Sequence, residues 1–156
     1  MFSKYFDWRE TYRTDHRALL ADNEHYALLW QPAVIEHAKL MDMVRQALGV
    51  AVHVNSWVRC PALNTTVGGS QTSDHTPDED RIGATDFTAP QYGSPYDVAH
   101  ALADPALGLP FRQLIYEHTW VHISSPRRSE DAPKRQILTL APGGRYVPGI
   151  VLQAGL

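Results

Sequence analysis

The chain has 156 residues, of which 44% are hydrophobic and 20% charged, a size and composition typical of one soluble globular domain. Its formal net charge of −3 argues against binding to nucleic-acid phosphates, which requires a clustered basic surface. No apolar run approaches the roughly 18 residues of a membrane span, and the N-terminus lacks the apolar segment of a secretory signal. We therefore expect one monomeric domain over residues 1–156, with no nucleic-acid partner and no membrane span.

The first half of the chain predicts helices followed by a strand. Residues 1–31 have no clean period and are expected to form an N-terminal extension of the same domain, with a short helix around residues 15–22. A longer helix begins at Pro32 and ends at Gly49, because apolar residues between them follow helical spacing: Val34, Ala38, Met41, Val44 and Leu48. The alternating segment 51–58 predicts a strand.

The second half of the chain predicts one helix and a set of strands. Ser94 and Pro95 open the helix as N-cap and first-turn residue, and Asp104-Pro105 ends it near Ala103. Strands are predicted over residues 112–116, 119–124 and 136–140, and a final short strand within 146–152. Because helices precede and interrupt these strands, the expected fold class is α+β, with a small antiparallel sheet and flanking helices.

Three residues from separate segments carry the strongest chemical signal: His75, Asp86 and His122. Two imidazoles and one carboxylate can bind one Zn²⁺ and leave its fourth position open, whereas structural zinc sites are usually closed by four ligands rich in cysteine. At an open position the metal acidifies water and makes it a nucleophile near neutral pH. The pattern therefore predicts metal-assisted hydrolysis.

The motifs around these residues occur in an order that is specific: RCPALN at 59–64, VGG at 67–69, SDH at 73–75, ATD at 84–86, QLIYE at 113–117 and WVHIS at 120–124. From about residue 32 to about residue 140, the chain resembles the D-Ala-D-Ala carboxypeptidase type of the M15 zinc peptidases. The resemblance implies the fold shared by hedgehog domains and D,D-peptidases, Zn²⁺ as the cofactor, and peptidoglycan stem peptides as the substrate.

One departure from the family pattern lies between the first zinc histidine and the aspartate. Residues 76–85 separate His75 from Asp86, a longer spacing than is usual in the family, and Ile82 takes the usual glycine position. The added residues are polar and include a proline, so we expect a lengthened surface loop beside the site that leaves the ligands in place.

The general base should be a carboxylate close to the metal. The resemblance implies Glu117, because the family has a glutamate after its Gln-Leu-Ile-Tyr segment. In one unbroken strand Glu117 would face away from His122, so we expect a turn or bulge at residues 117–119. His118 is the alternative, either as the base or as a hydrogen-bond donor to the tetrahedral oxyanion.

Two residues that precede the first histidine are expected to bind the substrate. The guanidinium of Arg59 can bind a C-terminal carboxylate bidentately or steady the oxyanion. Ser73 takes the position at which related dipeptidases have a substrate-binding serine. A locally basic stretch later in the chain can face an acidic cell-wall polymer, but we interpret it as a solvated loop: Arg127, Arg128, Lys134 and Arg135.

The expected function is that of a zinc D,D-peptidase, either a carboxypeptidase or an endopeptidase. Because the chain shows neither a secretory signal nor a wall-binding module, we expect a phage- or prophage-encoded protein made in the cytoplasm that acts at the cell wall or in the virion. One alternative is a non-catalytic zinc module, since the hedgehog signalling domain keeps its metal while binding other proteins. A metal-free phage structural domain is the other.

Overall fold

The structure is a computed structural model that describes residues 2–152. The helices are α1 (Leu20–Leu29), α2 (Gln31–Leu48), α3 (Pro61–Thr66) and α4 (Pro95–Leu102). The strands are β1 (His53–Ser56), β2 (Ala84–Thr88), β3 (Gln113–Tyr116), β4 (Val121–Ser124), β5 (Gln136–Leu140) and β6 (Tyr146–Pro148). Short 3-10 helices lie at Trp8–Thr11, Arg17–Leu19 and Pro105–Leu107. Within residues 2–152, every helix is too short or too polar to cross a membrane.

The strands form one six-stranded sheet in the order β1-β2-β4-β3-β5-β6. Neighbouring strands are antiparallel except for β3 and β5, which are parallel. The parallel pair results from the connection 125–135, which stays at the end of the sheet where β4 ends and β3 begins. β5 therefore starts beside the start of β3 and runs in the same direction. The predicted α+β class is confirmed, and the expected antiparallel sheet contains this one parallel pair.

The two predicted longer helices are present at nearly the predicted positions. Gly49 ends α2 in the left-handed conformation, with φ 69°, and the apolar residues at helical spacing along α2 are buried. At the start of α4, Ser94 accepts a hydrogen bond from the Asp97 N–H, and Pro95 is the first helical residue. Local capping chemistry and periodicity therefore predict both helices.

Other elements differ from the predictions. The helix expected around residues 15–22 is a 3-10 turn at Arg17–Leu19 followed by α1, which extends to Leu29. No strand was predicted at β2. Its residues Ala84, Thr85, Asp86 and Phe87 are all buried, as in a strand covered on both faces, and such strands lack the polar–apolar alternation that marks a half-buried strand. α3 has six residues, too few for a helical period to be recognised.

The segment 76–85 is not the exposed loop that its polar sequence predicts. Glu79 is its one exposed residue, and the charged side chains of Asp78, Asp80 and Arg81 have partners within the fold. Asp78 Oδ1 accepts the backbone N–H of Arg81 at 2.6 Å. The Arg81 guanidinium donates to Asp78 Oδ2 at 2.8 Å and to the Ser73 carbonyl at 3.0 Å. The loop therefore braces the segment that precedes His75.

His37 joins α2 to the sheet beneath the predicted site. Its ring is fully buried, and its nitrogens lie 2.7 Å from Ser125 Oγ and 2.9 Å from Thr85 Oγ1. Burial lowers the pKa of His37 to about 3, so the ring is neutral. Gly83 passes so close that a Cβ there would lie 2.9 Å from the His37 Cβ. Since Thr85 precedes Asp86, α2 is tied directly to the strand that carries the predicted aspartate ligand.

We predict that His37→Ala lowers the free energy of unfolding by about 2–4 kcal/mol, because it leaves a cavity and two buried hydroxyls without a partner. His25→Ala removes an exposed histidine from α1 and should change stability by less than about 0.5 kcal/mol. Urea denaturation followed by circular dichroism measures both variants. Equal losses in the two would contradict a supporting role for His37.

Candidate metal centre

His75, Asp86 and His122 converge in the structure, and one potential ligand atom from each lies within 4.8 Å of the others. Asp86 in β2 and His122 in β4 are direct cross-strand partners, so their side chains share one face of the sheet. His75 approaches from the loop between α3 and β2. Its Nε2 lies 3.2 Å from Asp86 Oδ1, and His122 Nδ1 lies 2.9 Å from the same oxygen. The structure therefore brings together the three residues predicted as ligands.

The hydrogen bonding of His75 leaves one ring nitrogen available as a ligand. Its Nδ1 lies 2.7 Å from the carbonyl oxygen of Trp57, which can only accept, so Nδ1 carries the hydrogen. Nε2 is then an unprotonated acceptor, buried and without a hydrogen-bond partner among the described residues. Metal-ligating histidines usually donate their other N–H to a carbonyl or carboxylate in this way. Two buried acceptors, His75 Nε2 and Asp86 Oδ1, therefore face each other across a position that suits a cation.

Asp86 is an ionised carboxylate with both oxygens engaged. Burial alone would raise its pKa, but the neighbouring His75 and His122 outweigh burial and hold the pKa of Asp86 well below its ordinary value. Its Oδ2 accepts a hydrogen bond from Arg59 Nη2 at 2.9 Å. Arg59 Nε in turn donates to Ser56 Oγ at 3.0 Å. The two nitrogens and one oxygen of this centre match the donor set that zinc takes in proteins. His75 and Asp86 each also have a supporting partner, Trp57 and Arg59.

The residues predicted to bind substrate, Arg59 and Ser73, both line the cleft around the centre. Arg59 has a partner that its sequence position does not reveal, since it is bonded to Asp86. Ser73 Oγ accepts the backbone N–H of His75 at 3.2 Å and so also shapes the ligand loop. Their contacts with substrate stay predictions, and each has a second role in holding a candidate ligand.

The turn expected after β3 is present, and it directs Glu117 into the cleft. β3 ends at Tyr116 and β4 begins at Val121, so residues 117–120 form a hairpin loop that breaks the strand alternation. Glu117 Oε2 accepts a hydrogen bond from Trp120 Nε1 at 2.6 Å. Burial raises the pKa of Glu117, against an opposing effect of His122. A carboxyl group with a raised pKa beside a metal centre is suited to proton transfer near neutral pH.

The structure does not bring His118, the alternative base, to the centre. His118 has a left-handed backbone, with φ 65°, and is not among the described residues that line the cleft. Its Nε2 instead lies 2.6 Å from the carbonyl oxygen of Leu140, and its ring packs on Tyr116 with a centroid separation of 4.8 Å. The structure therefore places His118 apart from the three candidate ligands, and its role as base or oxyanion donor stays a prediction.

The centre opens into a polar cleft of about 620 Å³. Alternate residues of the β3 segment line it, namely Gln113, Ile115 and Glu117. A larger cavity of about 690 Å³ beside Leu48 and His100 contains none of the predicted site residues. The candidate metal ligands, and not the cavity volume, therefore identify the site. Three further charged residues line the cleft that no sequence motif indicated: Asp74, Arg112 and Arg127. Arg127 belongs to the basic stretch that was predicted to be a solvated loop.

Comparison with known families agrees with this geometry. A model of the Peptidase M15 family matches residues 12–124, a range that contains all three candidate ligands and Glu117. No curated protein matches the chain.

We predict that the purified protein incubated with Zn²⁺ binds about one ion per chain and that His75→Ala or His122→Ala abolishes this binding, because two remaining ligands hold the ion poorly. His53→Ala, which removes an exposed histidine from β1, should bind the ion normally. Metal analysis after gel filtration measures all of these proteins. Full zinc content in both ligand variants would show that the ligands are misassigned.

Proposed function

The chain belongs to the Peptidase M15 family, and we propose that it is a zinc-dependent D,D-peptidase that hydrolyses peptidoglycan stem peptides. The observation that carries the proposal is the buried, unpartnered Nε2 of His75, held 3.2 Å from Asp86 Oδ1. The choice of D-alanine peptides is supported by the likeness of the motifs at 59–64 and 120–124 to those of D-Ala-D-Ala carboxypeptidases. Both exopeptidase and endopeptidase action fit these motifs.

Zinc would be held by His75, Asp86 and His122, whose ligand atoms already lie within 4.8 Å of one another. When bound, the ion supplies Lewis acidity that polarises a peptide carbonyl and lowers the pKa of water. The protein contributes rigidity to this site. The Trp57 carbonyl fixes the orientation of the His75 ring, and Arg59 fixes the Asp86 carboxylate.

Glu117 carries the proton in the proposed reaction. Trp120 holds its Oε2, so Oε1, which has no hydrogen-bond partner among residues 2–152, is the oxygen that accepts a proton from the attacking water. The same oxygen then returns the proton to the leaving amine, as general acid–base catalysis requires. Arg59 lies beside Asp86 and keeps further N–H groups that can bind a substrate carboxylate or the oxyanion.

Digestion of purified peptidoglycan tests the proposal. Zinc-loaded protein should release D-alanine or shortened stem peptides, detected by mass spectrometry, and a chelator should stop the release until zinc is restored. Tight zinc binding without any released peptide would instead favour a non-catalytic zinc module.

We predict that Glu117→Gln keeps its zinc but loses roughly 10²–10⁴-fold in hydrolysis rate, the usual contribution of a positioned acid–base group. His118→Asn is the matched control in the same loop, because asparagine tolerates a positive φ, and its rate should stay within about tenfold of the wild type. Steady-state kinetics on a peptide ending in D-Ala-D-Ala measures both. An active Glu117→Gln beside an inactive His118→Asn would reverse the assignment of the base.

A further inference from the structure

A second charged cluster lines the cleft, built around the buried carboxylate of Asp74. This carboxylate accepts hydrogen bonds from Arg112 Nη1 at 3.1 Å and from Arg127 Nε at 2.9 Å. Arg127 Nη2 also donates to the Thr72 carbonyl at 3.0 Å. Both guanidinium groups are therefore held in fixed positions in the wall of the cleft.

The cluster keeps both positive charge and free donors. Arg112 and Arg127 share Asp74, while Glu130 pairs with both Arg112 and Lys134, so three cations face two carboxylates. Within residues 2–152, Arg112 Nη2 and Arg127 Nη1 have no hydrogen-bond or ion-pair partner. Neither nitrogen is fully buried. The side chains are 14% and 22% exposed. Two ordered N–H donor groups are therefore accessible to an anion.

Arg112 and Glu117 flank the β3 segment on its two sides in the chain. Ile115 pairs with His122 across β3 and β4, which places the metal centre beside the middle of the β3 segment. Glu117 lies two residues beyond Ile115, and Arg112 lies three residues before it, about 10 Å of strand away. Along the direction of β3 the centre therefore lies between Glu117 and Arg112, and Arg127 meets Arg112 at the Asp74 carboxylate.

This arrangement orients a peptide in the cleft. A general base that returns its proton to the leaving amine must reach the amine nitrogen, so we place the amine half of the peptide at the Glu117 end of the cleft. The acyl half of an extended peptide then runs toward the arginines. At about 3.3 Å per residue, a spacing of about 10 Å corresponds to two or three residues.

We propose that Arg112 and Arg127 form a subsite for a carboxylate in the acyl half of the substrate, about two or three residues before the scissile bond. The substrate class is thus an acidic peptide, recognised by charge-assisted hydrogen bonds to the two guanidinium groups. This inference rests on the proposed peptidase function and on Glu117 as its base.

Arg127→Ala is the variant that tests the subsite, because Asp74 keeps its hydrogen bond to Arg112 and is not left unpaired. Arg128→Ala is the matched control. It removes the neighbouring charge, which pairs with Glu36 at 3.2 Å and lies outside the residues that line the cleft. The zinc content of both variants should equal that of the wild type.

The probes are acetylated peptides that end in D-Ala-D-Ala and carry glutamate, or its isostere glutamine, two or three residues before the scissile bond. Two readouts are compared: kcat/KM of the zinc-loaded protein, and calorimetric affinity for the zinc-loaded Glu117→Gln protein. The wild type should prefer a glutamate peptide by roughly tenfold or more. Arg127→Ala, alone or with Glu117→Gln, should lose this preference, and Arg128→Ala should keep it.

The outcomes separate the subsite from the proposed function. A charge-dependent affinity that Arg127→Ala abolishes, without hydrolysis of any peptide, would support the subsite and contradict the D,D-peptidase activity. The absence of a glutamate–glutamine difference in both readouts overturns the subsite, whether or not the peptides are cleaved. A preference that survives in Arg127→Ala also overturns it and leaves the cluster as a structural brace for Asp74.

Discussion

The contacts of the Asp86 carboxylate are the constraint on which the rest of the site depends. Oδ1 lies within 3.2 Å of a nitrogen from each of His75 and His122, and Oδ2 accepts a hydrogen bond from Arg59. Burying this charge without partners would cost several kcal/mol. The loop before β2, the middle of β4 and the segment after β1 must therefore meet at Asp86 in β2. A bound cation would join the first two of these segments to β2.

The fold supports this centre from below through neutral hydrogen bonds and packing. The buried His37 ring packs edge-on against Trp57, with centroids 5.2 Å apart, and bonds to Thr85 beside Asp86. The Trp57 carbonyl holds the ring of His75. One helix thus supports two candidate ligands without contributing a charge of its own. The site is preorganised by the core, as a metal centre that must keep one position open requires.

The sequence predicts the parts of the structure that local chemistry determines. Helix α2 is predicted by the helical spacing of its apolar residues. The turn at Glu117 is predicted because, in one unbroken strand, Glu117 and His122 would face opposite sides of the sheet. The positions of Arg59 and Arg127 could not be predicted, because their partners, Asp86 and Asp74, lie 27 and 53 residues away in the chain. The polar loop 76–85 was expected at the surface for the same reason, since Tyr26, which donates to the Pro77 carbonyl, and Ser129, which donates to Asp80, lie 51 and 49 residues away in the chain.

The central claim is that one metal ion lies between His75, Asp86 and His122. Crystals soaked with Zn²⁺ and measured on both sides of the zinc absorption edge test it most directly. The account predicts one strong anomalous difference peak bounded by these three side chains and open to the cleft that Glu117 lines. A peak elsewhere, or none at saturating zinc while the three side chains keep their positions, would contradict it.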